Sequence, residues 1–373
     1  MRILLVASLA ESLINFRGPL INALLDRGLD VAVAAPDFAG EDIFRRELES
    51  RGVNVYDIYM QRTGVNPFSD FRCLLSLWWL MFRIKPDVFL GYTIKPITYG
   101  ILAAWLAGVN RRFALITGLG YAFIAGRGVR GFSQAVAQIL YRISLCRASK
   151  VFFQNPDDEN LFREKEIMPK SVPSFVVNGS GIDLSKFVIA PIKDGVISFL
   201  LIARLLASKG IREYVMAAER IRVNFPKVRF SLAGWIDENP DSIDRAELDS
   251  WIRAGTIEYL GRLSDVRDAI ADSSVYVLPS YREGTPRTVL EAMAIGRPII
   301  TTDAPGCRET VIDGVNGFLV AIQSVDELEC AMTRLINQPE LMGKMGTYSR
   351  FLAEQKYDVN QINEAMIKGM DLP

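Results

Sequence analysis

Short runs of Val, Ile, Leu and Phe recur along the chain, separated by longer stretches in which apolar residues return every third or fourth position. In the first half the runs are RILLVAS, DVAVAAP, VNVYDIYM, DVFLGYT, RRFALIT, KVFFQN and SFVVNG. A second series follows: VISFLLIAR, KVRFSLAG, TIEYLG, SVYVLPS, RPIITTD and NGFLV, interleaved with helical patterns such as GIREYVMAAERIRVNF and VLEAMAIG. Continuous apolar runs separated by helices predict parallel sheets covered on both faces. Two such series predict an α/β chain of two doubly wound, Rossmann-like domains facing a cleft. Gly, Pro and Ser concentrate in VVNGSGIDLSKFVIAPIKDG, which places the boundary there. The expected domains are residues 1–180 and 181–355, with a C-terminal helix in 356–373 packing back on the first. In open α/β sheets ligands bind beyond the carboxyl ends of the strands, so residues just after strands carry the most functional weight.

Composition narrows the chemistry. With 373 residues, half of them apolar, the chain can bury two sizeable cores. It has no histidine, which excludes imidazole metal ligands, histidine general bases and Ser-His-Asp or Cys-His catalysis. Cys73, Cys146, Cys307 and Cys330 form no CxxC pair and read as buried, reduced thiols. MRILLVASL reads as a first strand, because folded-looking sequence follows without a small-residue cleavage site. The apolar stretches Leu74–Phe82 and Ile97–Val109 are too short to span a bilayer, which takes roughly 20 residues.

The net charge is zero, with 43 basic and 43 acidic residues, but the distribution is uneven. Between Asp87 and Asp157 there is no acid, while Lys95, Arg111, Arg112, Arg127, Arg130, Arg142, Arg147 and Lys150 are all present. Such a segment predicts a positive face suited to anionic lipid head groups, a diphosphate or nucleic acid, against the ordinary alternative of scattered, solvated cations. Tyr121, Phe123 and Phe132 form no recognisable stacking module, which argues against nucleic acid. Trp78 and Trp79, flanked by Arg72 and Arg83, admit interfacial contact, although burial is the commoner fate of such a stretch.

Two loops in the second half carry candidate chemistry. In ARLLASKG, Arg204 and Lys209 precede Gly210 and a helix, an arrangement that suits an anionic group. In YREGTPRTVLEA, Thr285 as N-cap and Pro286 as first residue predict a helix over 286–295. Glu283 then lies just before that helix and Glu291 about a turn and a half inside it. Backbone amides from Gly284 to Thr288 face phosphate oxygens, and the two carboxylates accept hydroxyls on either side.

EGTPRTVLE resembles the E-x7-E motif of the retaining glycosyltransferases of family 4, and ARLLASKG resembles their diphosphate-binding loop. GRPIITTDAPGCRETVIDGVNGFLV and GSGIDLSKF resemble the family's later strand-turn segment and interdomain connection, so the likeness spans most of residues 178–320. In the first half, SLINFRGPLINAL, GYTIKPITYGILAA, ITGLGYAF and FFQNPDD resemble bacterial members that add N-acetylgalactosamine or a relative to undecaprenyl-diphosphate-linked saccharides. The resemblance implies the GT-B fold and transfer of a sugar from a nucleotide-sugar donor, UDP-linked by family habit, to a polyprenyl-diphosphate-linked acceptor. It implies work at the cytoplasmic face of the membrane, peripherally attached to an anionic surface, with neither cofactor nor metal. Arg204 and Lys209 would bind the diphosphate and neutralise the leaving group. Glu291 would take the ribose hydroxyls and Glu283 those of the transferred sugar, with the amides of Gly284, Thr285 and Thr288 lining phosphate and sugar. Two departures stand out: AESLINF replaces the family's Gly-Gly turn, and the histidine that faces the donor sugar in relatives is missing. The ITGLG loop around Thr117 and Gly118 is the expected substitute, and a front-face retaining mechanism would need no enzymatic base. The alternatives are a GT-B nucleotide-sugar 2-epimerase, which depends on histidine, and a transferase acting on a soluble acceptor.

Overall fold

The structure is a computed structural model, and it describes residues 1–38, 42–61, 66–119, 129–237, 239 and 241–373, with the side chains of 42 and 129–133 excluded. Arg127, Tyr121 and Phe123, and the side chains of Arg130 and Phe132, therefore lie outside the described residues.

The chain divides into two compact units, one of Met1–Ser180 with Asn360–Pro373, the other of Gly181–Val359. The first unit contains strands β1 (Arg2–Val6), β2 (Asp30–Ala35), β3 (Asn54–Asp57), β4 (Val88–Tyr92), β5 (Arg111–Ile116), β6 (Lys150–Phe153) and β7 (Ser174–Val176). Helices α1 (Ala10–Asp26), α2 (Asp42–Ser50), α3 (Pro67–Ile84), α4 (Ile94–Leu106), α5 (Val129–Leu145) and α6 (Pro156–Glu164) connect them. The second unit contains β8 (Ser198–Ile202), β9 (Arg229–Ala233), β10 (Glu258–Gly261), β11 (Val275–Leu278), β12 (Ile299–Thr302) and β13 (Gly317–Val320). Its helices are α7 (Ile211–Asn224), α8 (Arg245–Arg253), α9 (Arg267–Asp272), α10 (Arg287–Ile295), α11 (Val325–Asn337) and α12 (Glu340–Lys356), and α13 (Val359–Gly369) follows.

Both sheets are parallel, in the orders β3-β2-β1-β4-β5-β6-β7 and β10-β9-β8-β11-β12-β13. The inner strands are buried on both sides because helices cover both faces, which is why the sequence shows continuous apolar runs there instead of alternation, while the edge strands β3, β7 and β10 are part-exposed. Strand order reverses between β1 and β4, and again between β8 and β11, and the crevice beyond the carboxyl ends at such a reversal is where this architecture binds ligands.

The last residues complete the first unit. Met366, Ile367, Met370 and Leu372 belong to one of its two cores. Arg111 donates to the carbonyls of Met370 and Asp371, and Lys150 to that of Gly369.

Three expectations are corrected. Lys95 is not part of a positive face: it is buried and donates to Asp70 Oδ1 at 2.7 Å, tying α4 to α3. Arg112 likewise spends its donors on the carbonyls of Val109, Asn110 and Arg147. The cysteines divide, with Cys73 and Cys307 buried but Cys146 and Cys330 exposed, one just past the end of α5 and the other on the outer side of α11. Among the described residues no helix is long and apolar enough to cross a membrane.

Candidate active site

At the reversal between β8 and β11, two loops are laced together. The loop after β8 closes with Gly210 at φ 71°, and a Cβ there would meet the Pro279 carbonyl oxygen at 2.1 Å. Only glycine permits that approach. The Tyr281 amide donates to the Ser208 carbonyl at 2.9 Å, and Ser280 Oγ donates to the same carbonyl at 3.2 Å. A third loop supports the pair from below: the Glu283 amide donates to the Pro305 carbonyl at 2.9 Å, and Gly306, at φ 80°, lies so close that a Cβ would meet the Glu283 carbonyl oxygen at 2.1 Å.

This lacing brings Lys209 and Glu283 together. Lys209 Nζ donates to Glu283 Oε1, which also accepts from Ser280 Oγ at 2.8 Å, with side-chain exposures of 18% for the lysine and 15% for the glutamate. Arg204, in the same loop after β8, donates to Asp237 Oδ2 at 2.8 Å. Each of the two cations is matched by a carboxylate.

Helix α10 starts one residue later than expected. Pro286 is its N-cap, with extended ψ of 109°, and makes no side-chain cap; Thr285 therefore precedes the cap instead of forming it. A proline ring carries no acceptor, so no side chain caps the start of α10, and the amide dipoles there point their positive end toward the loop that carries Glu283. Thr288 Oγ1 reaches the Ile202 carbonyl at 3.4 Å, which the Tyr276 hydroxyl also approaches at 3.1 Å. Gly284 and Thr285 form the link from Glu283 to this helix start.

Glu291 is buried on α10 and accepts from Arg287 Nε at 2.9 Å. Burial pushes its pKa up, Arg287 pulls it down, and Asp265 adds a small upward push. Burial also raises the nearby Cys307 thiol to about 12, which keeps it protonated and inert. Tyr281 is likewise raised to about 12, by burial and by its hydrogen bond to Glu213 at 2.7 Å.

The second unit thus gathers Arg204, Lys209, Glu283, Gly284, Thr285, Thr288 and Glu291 at the carboxyl ends of β8 and β11. Sequence reasoning missed Asp237, Ser280 and Arg287. Only Arg287 had a readable signal, its i,i+4 spacing to Glu291 on a helix. In the first unit, Thr117 and Gly118 directly follow β5. At the reversal beside β1, Thr93 Oγ1 donates to Ser8 Oγ at 2.9 Å.

Residues 197–338 match the family described as "Glycosyl transferases group 1", and residues 2–155 match "Glycosyl transferase 4-like". The chain belongs to the family 4 glycosyltransferases. It is 29% identical over 384 aligned positions to the N,N'-diacetylbacillosaminyl-diphospho-undecaprenol alpha-1,3-N-acetylgalactosaminyltransferase of Campylobacter jejuni, covering 100% of this chain and 98% of that protein. The UDP-Gal:alpha-D-GlcNAc-diphosphoundecaprenol alpha-1,3-galactosyltransferase of Escherichia coli is 25% identical, with 74% of this chain and 73% of that one aligned. Sucrose-phosphate synthase from Thermosynechococcus elongatus superposes with a TM-score of 0.82 at 16% identity, over 100% of this chain and 98% of the other. The fold of this glycosyltransferase is GT-B.

Proposed function

We propose that this glycosyltransferase moves a sugar, an N-acetylhexosamine or a close relative, from a UDP-sugar to a saccharide carried on a polyprenyl diphosphate, with retention of anomeric configuration and without a metal ion. The observation that carries this reading is the Lys209–Glu283 pair at the strand-order reversal, flanked by Arg204 and by the amino-terminal end of α10. A diphosphate entering there competes with Glu283 for Lys209. As Lys209 turns to the phosphate, Glu283 is released to accept hydroxyls of the transferred sugar, so one exchange prepares both ends of the donor. Glu291, deeper on α10, takes the ribose hydroxyls.

As the bond between the anomeric carbon and the phosphate oxygen breaks, negative charge grows on the diphosphate. Arg204, Lys209 and the positive, amino-terminal end of α10 oppose it where it develops, so no metal is called for. The acceptor hydroxyl attacks from the face the phosphate leaves, its oxygen forming the new glycosidic bond and its proton passing to the departing phosphate oxygen. That route asks nothing of an enzymatic base, consistent with a chain that has no histidine. Both relatives named above act on undecaprenyl-diphosphate-linked saccharides and one uses UDP-galactose, which supports the lipid-linked acceptor and the uridine donor. A lipid-linked acceptor together with a nucleotide-sugar donor supports work at the cytoplasmic membrane surface.

The test is a panel of radiolabelled UDP-sugars and GDP-sugars offered with short-chain polyprenyl-diphosphate saccharides, in chelator, with the product anomer read by NMR. Transfer of a UDP-linked N-acetylhexosamine to the lipid acceptor as the α-anomer is expected. Transfer to free saccharides alone, or 2-epimerisation of the donor without acceptor, would refute the reading.

A further inference from the structure

Helix α3 has two apolar faces. Cys73, Leu77, Leu80, Met81 and Ile84 are buried against the sheet, as the period of an amphipathic helix requires. The opposite side is apolar as well: Phe68, Phe71, Leu75, Trp78, Trp79 and Phe82 are all exposed, Phe68 to 89% and Trp79 to 58%. Positions 68, 71, 75, 78 and 82 recur at helical spacing, so they form one stripe about 20 Å long on the solvent side. Trp78 and Phe82 stack with centroids 5.8 Å apart. The helix is nonetheless well specified, with Asn66 capping its first turn through the Phe68 and Ser69 amides and the Lys95–Asp70 pair fixing it to α4. On the helices packed in turn beside it, Trp105 near the end of α4 and Ile139 and Ile143 on α5 are exposed as well. A contiguous apolar surface of this kind on a folded chain marks an interaction site.

We propose that this face of α3 inserts into the head-group region of a bilayer, and that apolar insertion, not charge, supplies most of the attachment. Three observations select lipid over protein. The only acid on α3, Asp70, is buried and paired, so the outer face carries no negative charge. Its cations lie over aromatic rings, Arg83 over Trp79 at 5.5 Å and Arg72 over Tyr59 at 4.0 Å, and just past α5 Arg147 lies over Trp105 at 4.6 Å; such pairs suit the boundary between hydrocarbon and phosphate. Protein interfaces need a steady density of hydrogen-bonding groups, whereas this stripe presents rings and methyl groups with arginine at its margin. The cations of the acid-free segment point the same way: Lys95 is buried, Arg111, Arg112 and Lys150 donate to main-chain carbonyls, and Arg142 lies 3.9 Å from Glu166, so few of them are left to bind an anionic surface by charge. The attachment deepens the lipid-linked reading above by naming the surface that meets the acceptor's membrane.

The test uses the full chain and vesicles, with no donor or acceptor, so it stands or falls separately from transferase activity. Cosedimentation is measured with phosphatidylcholine vesicles and with vesicles that also contain phosphatidylglycerol, at low salt and in about 1 M salt, where the screening length falls to roughly 3 Å. Binding to both vesicle types that largely survives salt, with a blue shift of tryptophan emission, is expected. Trp79→Ser combined with Phe82→Ser should weaken vesicle partitioning about tenfold or more, because two inserted rings are lost. An unchanged circular dichroism spectrum and an unchanged thermal midpoint of the first unit, which contains α3, show that the variant is folded. No binding to either vesicle, binding abolished by salt, or a double variant that binds as the wild type would overturn the proposal. A vesicle-indifferent dimer that the same substitutions disperse in sedimentation equilibrium would overturn it too, making a second copy the occupant.

Discussion

Lys209 and Glu283 neutralise each other, which lowers the cost of part-burying an ammonium. On the proposed reading a diphosphate takes the carboxylate's place. Lys209→Ala should therefore slow transfer roughly a hundredfold while the fold survives, measured as kcat/KM with the true donor; near-normal turnover would remove the lysine from the diphosphate site. Glu291→Ala should weaken UDP binding, whereas Glu283→Ala should leave it intact or tighter, since Lys209 loses its competitor, and should impair transfer instead. Calorimetry giving equal losses would reject that division. The acid side of UDP binding tests Glu291 further. Its pKa is raised by burial and held down by Arg287, so the carboxylate proposed to accept ribose hydroxyls is lost on acidification sooner than an ordinary glutamate would be. Arg287→Met removes the downward pull, and affinity should then begin to fall at a higher pH than in the wild type; the titration of UDP itself is common to both and cancels in their ratio. At this scale the sequence was only partly legible. Arg204, Lys209 and the two glutamates announce themselves through motifs, but Asp237 meets Arg204 only because β9 lies beside β8, and Lys95 meets Asp70 across 25 residues with nothing local to reveal it.

Elements were the most readable level, because strands buried on both faces need apolar residues at every position and helices between them keep their own period. The start of α10 was misjudged by one residue, since proline fits both the cap and the first turn and only ψ decides between them. Arg297 was not legible at all. It is fully buried just before β12, and it donates to the carbonyls of Ile270 and Ala271 at the end of α9 and to those of Ala190 and Pro191 in the incoming connection. One guanidinium thus closes a helix terminus and fastens a loop, and burial lowers its pKa to about 10 without discharging it at neutral pH. Arg297→Lys keeps the charge but cannot reach all four carbonyls, and should cost about 2–3 kcal/mol in denaturant unfolding of the second unit. An unchanged midpoint would mean that the carbonyls find other donors.

At the scale of the whole molecule, the two units differ in how the chain supplies them. The second is one continuous stretch, while the first needs Asn360–Pro373 as well as Met1–Ser180. The two crossings lie side by side: the Ile182 amide donates to the Tyr357 carbonyl at 2.8 Å, the Val359 amide returns a bond to Ile182 at 3.1 Å, and a Cβ on Gly181 would meet Val359 Cα at 2.6 Å. Deleting residues 360–373 removes four buried apolar side chains from the first unit's core, about 6 kcal/mol of burial, and should sharply lower the thermal midpoint of that unit while UDP affinity is kept. Loss of both together would show that the units unfold as one. The discontinuity also sets an order of events during synthesis. The first 180 residues leave the ribosome with one face of their sheet short of its covering helix, the continuous unit behind them can reach its final packing as soon as Val359 has emerged, and the part made earliest is completed last. Until then the newborn amino-terminal half carries an open apolar face in addition to the exposed rings of α3, a window in which holding chaperones have the most to grip.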